Sequence, residues 1–193
     1  MLFSFLATSL AGILSWSFTE FALHYWVGHK AKGKNAFSKE HLQHHAEKDY
    51  FAPPLKKWLL ALPSLAFAGI LSYSLLGSVY GALYTLSFGM AWLSYESLHY
   101  RLHTVAPRGP LSRFLRLHHF YHHFQNPWKN HGVTSPIWDF AFGTWQPVQG
   151  PVQVPASHAM DWLLDQQGKV HSAYCQDYQL RESKRQNAET GTV

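Results

Sequence analysis

Three long apolar stretches dominate the chain, and polar segments separate or follow them. The first runs from about Leu2 to Val27 and carries one charge, Glu20; the second runs from about Trp58 to Leu76; the third, from about Val79 to Leu98, is charged only at Glu96. At a helical rise of about 1.5 Å per residue, each can cross a hydrocarbon layer of about 30 Å, the second only just. Gly77-Ser78 leaves little room between the last two, which predicts a tight helical hairpin. The first run lacks the basic leader and small-residue cleavage site of a secretory signal, so it is expected as a retained anchor. The pattern predicts an all-α integral-membrane fold, with about three transmembrane helices and a cytoplasmic His-rich helical cap. One membrane-embedded domain, residues 1–180, precedes a polar stretch from about Arg181 to Val193 that has no apolar period and is expected to be disordered. The competing reading makes 58–98 a buried hairpin of a soluble protein, or one that dips into a single leaflet, and Pro63 and Gly69 fit that picture. Spanning is preferred because helices satisfy backbone groups at depth most simply.

Charge changes the picture next. The formal net charge is +5, yet no Lys or Arg precedes Lys30 and none lies between Lys57 and Arg101. The basic residues avoid the apolar runs and gather in two segments, Lys30–Lys57 and the stretch opened by Arg101, Arg108, Arg113 and Arg116. That is the distribution of the positive-inside rule and not of a nucleic-acid-binding face. Both segments are therefore expected in the cytoplasm, with the N-terminus and the hairpin tip outside. A single cysteine, Cys175, excludes an internal disulfide and a cysteine-based metal knuckle, and no acid or base beside it marks it as reactive.

Fourteen histidines in 193 residues demand a reason. Four clusters stand out: His24 and His29 at the inner end of the first run; His41, His44 and His45 in the loop; His99 and His103 where the third run ends; and His119, His122 and His123 beyond it, with His118 directly before. Offsets of three and four return to one helix face, so His99 and His103 can grip one ion. Each His-x2-His-His triplet can serve two adjacent metals, because its members point to slightly different places. His24 and His29, five apart, converge only if the helix ends or bulges between them, and Gly28 marks a site for that. Imidazole suits Fe, Zn or Cu rather than Mg or Ca. Ten candidate ligands are too many for one ion and suit two, all on one side of the membrane by the charge argument.

Glu20 precedes His24 by four and Glu96 precedes His99 by three, so each carboxylate is a candidate to orient an imidazole through its second nitrogen. The bland alternative for both is an acid on a helix near the interface, although an acid inside an apolar run is costly. His131 is read as a support or substrate-site residue, and His158 and His171 as surface residues. Spacing alone leaves open which of His118 and His119 is the ligand.

With these boxes in this order, the chain resembles the fatty acid hydroxylase/sterol desaturase superfamily, and most closely its fatty acid hydroxylases. The resemblance runs from about Thr19 to Trp145, and GVTSPIWDFAFGTW (Gly132–Trp145) is similar to the Trp-Asp-x-x-Phe-Gly-Thr ending of that group. Its register implies that His119, not His118, heads the last box, and that Thr134 and Asp139 support the site. It further implies two irons held by His24, His29, His41, His44, His45, His99, His103, His119, His122 and His123, with zinc able to substitute in a preparation. O2 would be the co-substrate, a bilayer lipid, most simply a fatty acyl chain, would be hydroxylated, and the tail would lie among Trp16, Phe18, Phe67, Tyr73, Phe88, Met90 and Trp92. Members commonly have four spans, whereas three are visible here. No fused haem domain is visible either, so a separate electron-transfer protein, ferredoxin-like or haem-type, is expected. Bacterial carotenoid hydroxylases share the box order, but usually have four residues inside the third box, where His99 and His103 enclose three, and they lack the Trp-Asp ending. A carotenoid or sterol hydroxylase or a lipid desaturase remains the enzymatic alternative. A non-catalytic metal-binding or transport protein is the distant one, since transporters place ligands near the membrane midplane.

Overall fold

In the computed structural model, which describes residues 1–181, the chain is mostly helical. Helix α1 (Leu2–Ala22) continues without a break into a π-helical segment, Leu23–His29. Helix α2 (Ala36–Ala46) is capped by Asn35, whose Oδ1 accepts the Ser38 N–H at 2.7 Å. Helix α3 (Pro54–Thr104) is broken at Gly77, where φ 76 and ψ 179 lie in a region open essentially to glycine alone. The chain doubles back there, as the Gly77-Ser78 step predicts. The two arms run antiparallel: Ser72 Oγ meets Thr85 Oγ1 at 3.0 Å, Trp58 and Trp92 pack edge to face at 4.6 Å, and Lys57 bonds Glu96 at 2.5 Å.

Helix α1 packs against α3 around Trp16, Ala61, Ala68, Phe88 and Trp92, with Trp16 and Phe88 edge to face at 5.4 Å. Among the described residues, Leu2–His29 and Pro54–Thr104 are long and apolar enough to cross a membrane. Only 11% and 17% of their most apolar windows is buried, so protein does not cover these faces as it would in a soluble core.

The cap follows. Helix α4 (Gly109–Phe124) and the short α5 (Ile137–Ala141) lead to strands β1 (Val152–Pro155) and β2 (Tyr178–Arg181). The strands pair in parallel, Val152 with Tyr178 and Val154 with Leu180. Phe120, Val152, Val154, Met160, Leu163 and Tyr178 form the cap's own core. Arg116 of α4 is buried and donates to the carbonyls of Arg101 (2.7 Å) and Val105, closing the end of α3, and Trp162 Nε1 donates to the His103 carbonyl at 2.9 Å.

The all-α expectation is thus corrected by a two-stranded ribbon. Four-residue strands show too little alternation to be read from sequence, and this pair forms only because Val152 and Val154 bury against α4. Of the polar stretch from Arg181, only Arg181 is described, and it closes β2; the remainder of that expectation lies outside the described residues.

Candidate metal centre

The helix ends deliver the histidines. Offsets of five do not share a face on an α-helix, but the π-helical segment widens the turn, as the Lys30 N–H to Tyr25 carbonyl bond (3.0 Å) shows, and so turns His24 and His29 to the same side. Gly28 lies inside this segment for a further reason. A Cβ there would stand 2.9 Å from His41 Cδ2, so glycine is what lets α2 come close. The Gly28 carbonyl also accepts the Ser38 hydroxyl at 2.5 Å, fixing α2 against the segment.

Among the described residues, the ten histidines of the four boxes gather into two groups of five. His24, His29, His41, His45 and His122 form one; His44, His99, His103, His119 and His123 form the other; within each, the ligand atoms all lie within 4.8 Å of one another. Helix geometry explains how the triplets divide. His41 and His45, one turn apart on α2, face the first group while His44, about 100° round the helix from His45, faces the second. On α4 the same rule sends His119 and His123 to the second group and His122 to the first. The groups adjoin where the rings of His45 and His123 stack with centroids 4.0 Å apart.

The nitrogen positions fit a cation. His24 Nδ1 donates to the His131 carbonyl (2.5 Å), His122 Nδ1 to the Lys129 carbonyl (2.7 Å) and His44 Nδ1 to the Tyr50 carbonyl (2.7 Å). Each such bond fixes the neutral tautomer with a lone pair on Nε2. Yet His24 Nε2 and His122 Nε2 face each other at 2.9 Å, and His29 Nε2 and His45 Nε2 stand 2.9 and 3.2 Å from the same His122 atom. Two lone pairs at that distance repel unless a cation lies between them. Ligand nitrogens about 2.0–2.1 Å from an ion at cis positions stand about 2.9 Å apart. In the second group, His44–His99 and His103–His119 show the same Nε2 spacing, 3.0 and 2.8 Å. The alternative, protonated imidazoles, is opposed by burial. Burial, reinforced by neighbouring imidazoles, holds His41, His45, His119, His122 and His123 well below the ordinary imidazole value, and it brings His44 to about 4.

The supporting acids sit elsewhere than spacing suggested. Glu20 reaches no imidazole; it accepts the N–H groups of Val133 (2.6 Å) and Thr134 (2.9 Å) and the Thr134 hydroxyl (2.6 Å). Glu96 pairs with Lys57 across the hairpin instead of with a histidine. Asp139, fully buried, accepts the N–H groups of His131 and Gly132 (2.8 Å each), the Thr144 hydroxyl (2.7 Å) and His118 Nε2 (3.2 Å). Burial alone would raise its pKa, but these donors outweigh burial and hold it far below the carboxylate range. His118 is therefore turned toward Asp139, while His119 joins the second group. His131 is fully buried beside the first group, its ring 5.0 Å from that of His122, and among the described residues neither ring nitrogen has a hydrogen-bond partner. Glu20 and Asp139 thus grip the 131–134 loop from both sides, and that loop presents the carbonyl that orients His24. The three orienting carbonyls carry no side-chain signal, so sequence could not reveal them. His171 is exposed; His158 is half-buried, its Nε2 donating to the Ala46 carbonyl at 2.9 Å; neither belongs to either group.

A cavity of ≈ 110 Å³ opens beside both groups, with His24, His41, His44 and His99 in its wall. Lys57, Glu96 and Glu40 line its polar side and Trp16, Trp92 and Leu60 its apolar side. Of the other aromatics expected around a tail, Phe18, Phe67 and Phe88 line a groove between α1 and the first arm of α3, whereas Tyr73 and Met90 line a separate cleft between the two arms.

The Fatty acid hydroxylase family profile matches residues 9–144. A dihydroceramide fatty acyl 2-hydroxylase of Arabidopsis thaliana is 33% identical over 150 residues, covering 72% of this chain and 61% of its own. A ceramide very long chain fatty acid hydroxylase of Saccharomyces cerevisiae is 28% identical over 152 residues (73% and 38%), and a fatty acid 2-hydroxylase of Homo sapiens 25% over 151 (72% and 39%). The solved structure of full-length scs7p, in which only the hydroxylase domain is visible, superposes with a TM-score of 0.61 at 27% identity, covering 79% of this chain and 60% of that one. This chain spans less than two thirds of the length of each of these proteins.

Proposed function

The chain belongs to the fatty acid hydroxylase family, and from that premise we propose that it is a membrane oxygenase that hydroxylates a fatty acyl chain of a lipid, using O2 and external electrons. The single observation that carries the reading is the pair of five-imidazole groups whose Nε2 lone pairs converge at 2.8–3.2 Å. Imidazole donors of this number suit two irons, one per group, with zinc as a substitute in a preparation. When bound, such a centre supplies the reduction of O2 to an oxidant that takes hydrogen from an unactivated C–H bond, one oxygen going to substrate and one to water.

The protein's share is positioning and exclusion. The carbonyls of Tyr50, Lys129 and His131 hold three ligand rings in the tautomer that offers Nε2. Burial keeps His41, His44, His45, His119, His122 and His123 neutral at pH 7, so metal need not compete with protons. Lys57 and Glu96 lie at the histidine end of the cavity, where a polar headgroup beside them leaves the first acyl carbons close to the centre. That supports attack at carbon 2, the position in the names of the Arabidopsis and human relatives, and these names speak for acyl chains rather than carotenoids.

The membrane reading has α1 and each arm of α3 crossing the bilayer, three spans in all. The N-terminus and the Gly77 tip face outward, and the histidine groups and C-terminus lie in the cytoplasm. The basic segments after His29 and after Tyr100 support that orientation. Electrons come from a separate carrier, ferredoxin-like or haem-type, and nucleic acid is no partner.

Comparative lipid analysis of a host expressing the wild type or His122→Ala tests the proposal. A hydroxylated acyl species should accumulate with the wild type alone. Identical lipid profiles from a wild type that holds both metals would sink it.

A further inference from the structure

The cavity beside the histidines is too small for a lipid. At ≈ 110 Å³ it falls below the roughly 300–1,000 Å³ typical of ligand sites. The groove between α1 and the first arm of α3 measures ≈ 640 Å³ and lies within that range. The two share one lining residue, Ser64. Lys57, Leu60, Ser64, Ala68, Leu71 and Leu75 recur at three- and four-residue steps, so one face of this arm runs from the charged rim of the cavity into the groove. From Ser64 to Leu75 that face is about 16 Å long. Phe18 and Phe88 form the facing wall, and Trp138 of α5 reaches into the groove. Phe67 and Leu75, which also line it, are 69% and 72% exposed, so the groove opens sideways to hydrocarbon.

We propose that the groove seats the distal part of the substrate's acyl chain and that Ser64, at its junction with the metal-side cavity, sets how long a chain the site accepts. This rests on the acyl-lipid reading of the site. An acyl tail, rather than a partner helix, is the occupant because the groove adjoins, at Ser64, a cavity walled by the histidines, and because its free side, with Phe67 and Leu75 exposed, is apolar. Transfer from bilayer to groove gains little from dehydration, so selection acts through shape: a small side chain at position 64 lets the tail pass, and a large one turns it away. Lipid enters sideways, headgroup toward Lys57 and Glu96.

The test uses the full chain in bilayers with an electron donor, and equimolar long- and very-long-chain acyl lipids in competition. Ser64→Leu should lower the very-long to long product ratio at least about tenfold, the scale at which pockets discriminate by shape, while bound metal stays at the wild-type level. Leu71→Trp, a change on the half-exposed groove wall well away from the histidines, should lower the ratio in the same direction and decides the matter if Ser64→Leu fails to fold. Ser64→Ala should keep the wild-type ratio. Wild-type ratios in both bulky variants, with metal retained, would overturn the proposal and leave the groove to a bilayer lipid or a partner helix. A wild type that hydroxylates no acyl lipid would instead overturn the acyl-hydroxylase reading, and this inference with it.

Discussion

Asp139→Asn is the sharpest test of how the site is held. The carboxylate takes four hydrogen bonds, with Oδ1 serving His131 N–H and Thr144 and Oδ2 serving Gly132 N–H and His118. Asparagine keeps the shape but offers one acceptor oxygen. The Thr144 hydroxyl and the His118 imidazole can reverse their roles; a backbone N–H cannot. Whichever way the amide lies, one buried N–H is orphaned, at about 1–3 kcal/mol, and the surviving bonds lose their charge assistance. A total near 3 kcal/mol should lower the unfolding temperature by about 6–12 °C at 2–4 °C per kcal/mol for a chain of this size. The 131–134 loop carries the carbonyl that orients His24, so the first histidine group should also lose metal before the second. Thermal unfolding in detergent with metal analysis of the same samples measures both. A fall below about 2 °C with full metal would refute the idea that Asp139 organises this loop.

His122→Ala should empty the first group, because its Nε2 is the atom that three other imidazoles approach, whereas His103→Ala should lower metal chiefly at the second; elemental analysis giving two full equivalents in both variants would count against His122 and His103 as ligands. Gly28→Ala should reduce metal at the first group, since the added methyl meets His41 at 2.9 Å, and equal metal in variant and wild type would show that α2 yields freely. Burial depresses the folded pKa values of His41, His44, His45, His119, His122 and His123, so the unfolded chain takes up protons first. Stability should be full above about pH 6.5 and fall toward pH 4, by about 1.4 kcal/mol per pH unit for each such histidine. An unfolding temperature that stays flat from pH 7 to 5 would contradict it.

Local rules made much of this legible. The apolar runs gave the three long helical stretches, and Gly77-Ser78 gave the reversal between two of them. Box spacing identified the ten residues that gather, and the five-residue gap between His24 and His29 called for the bulge that the π-helical segment supplies. What escaped was settled by distance along the chain. Glu20 finds its donors at Val133 and Thr134, and Glu96 finds Lys57 rather than the histidine one turn away. Helix periodicity can name neighbours only on the same helix. Strand β1 escaped for a related reason: its partner β2 lies beyond three single-turn 3-10 helices.

The bonds from Glu20 to the 131–134 loop join α1, the first of the proposed spans, directly to the scaffold of the first histidine group. A bilayer thinner or thicker than α1 prefers changes that helix's tilt, and the tether converts the tilt into a displacement of the His131 carbonyl and so of the His24 ring. On the proposed topology, the metal site is expected to respond to membrane thickness. Turnover in vesicles of graded acyl length should peak at one thickness, and Glu20→Ala, which removes the acceptor of both loop N–H groups, should flatten the curve.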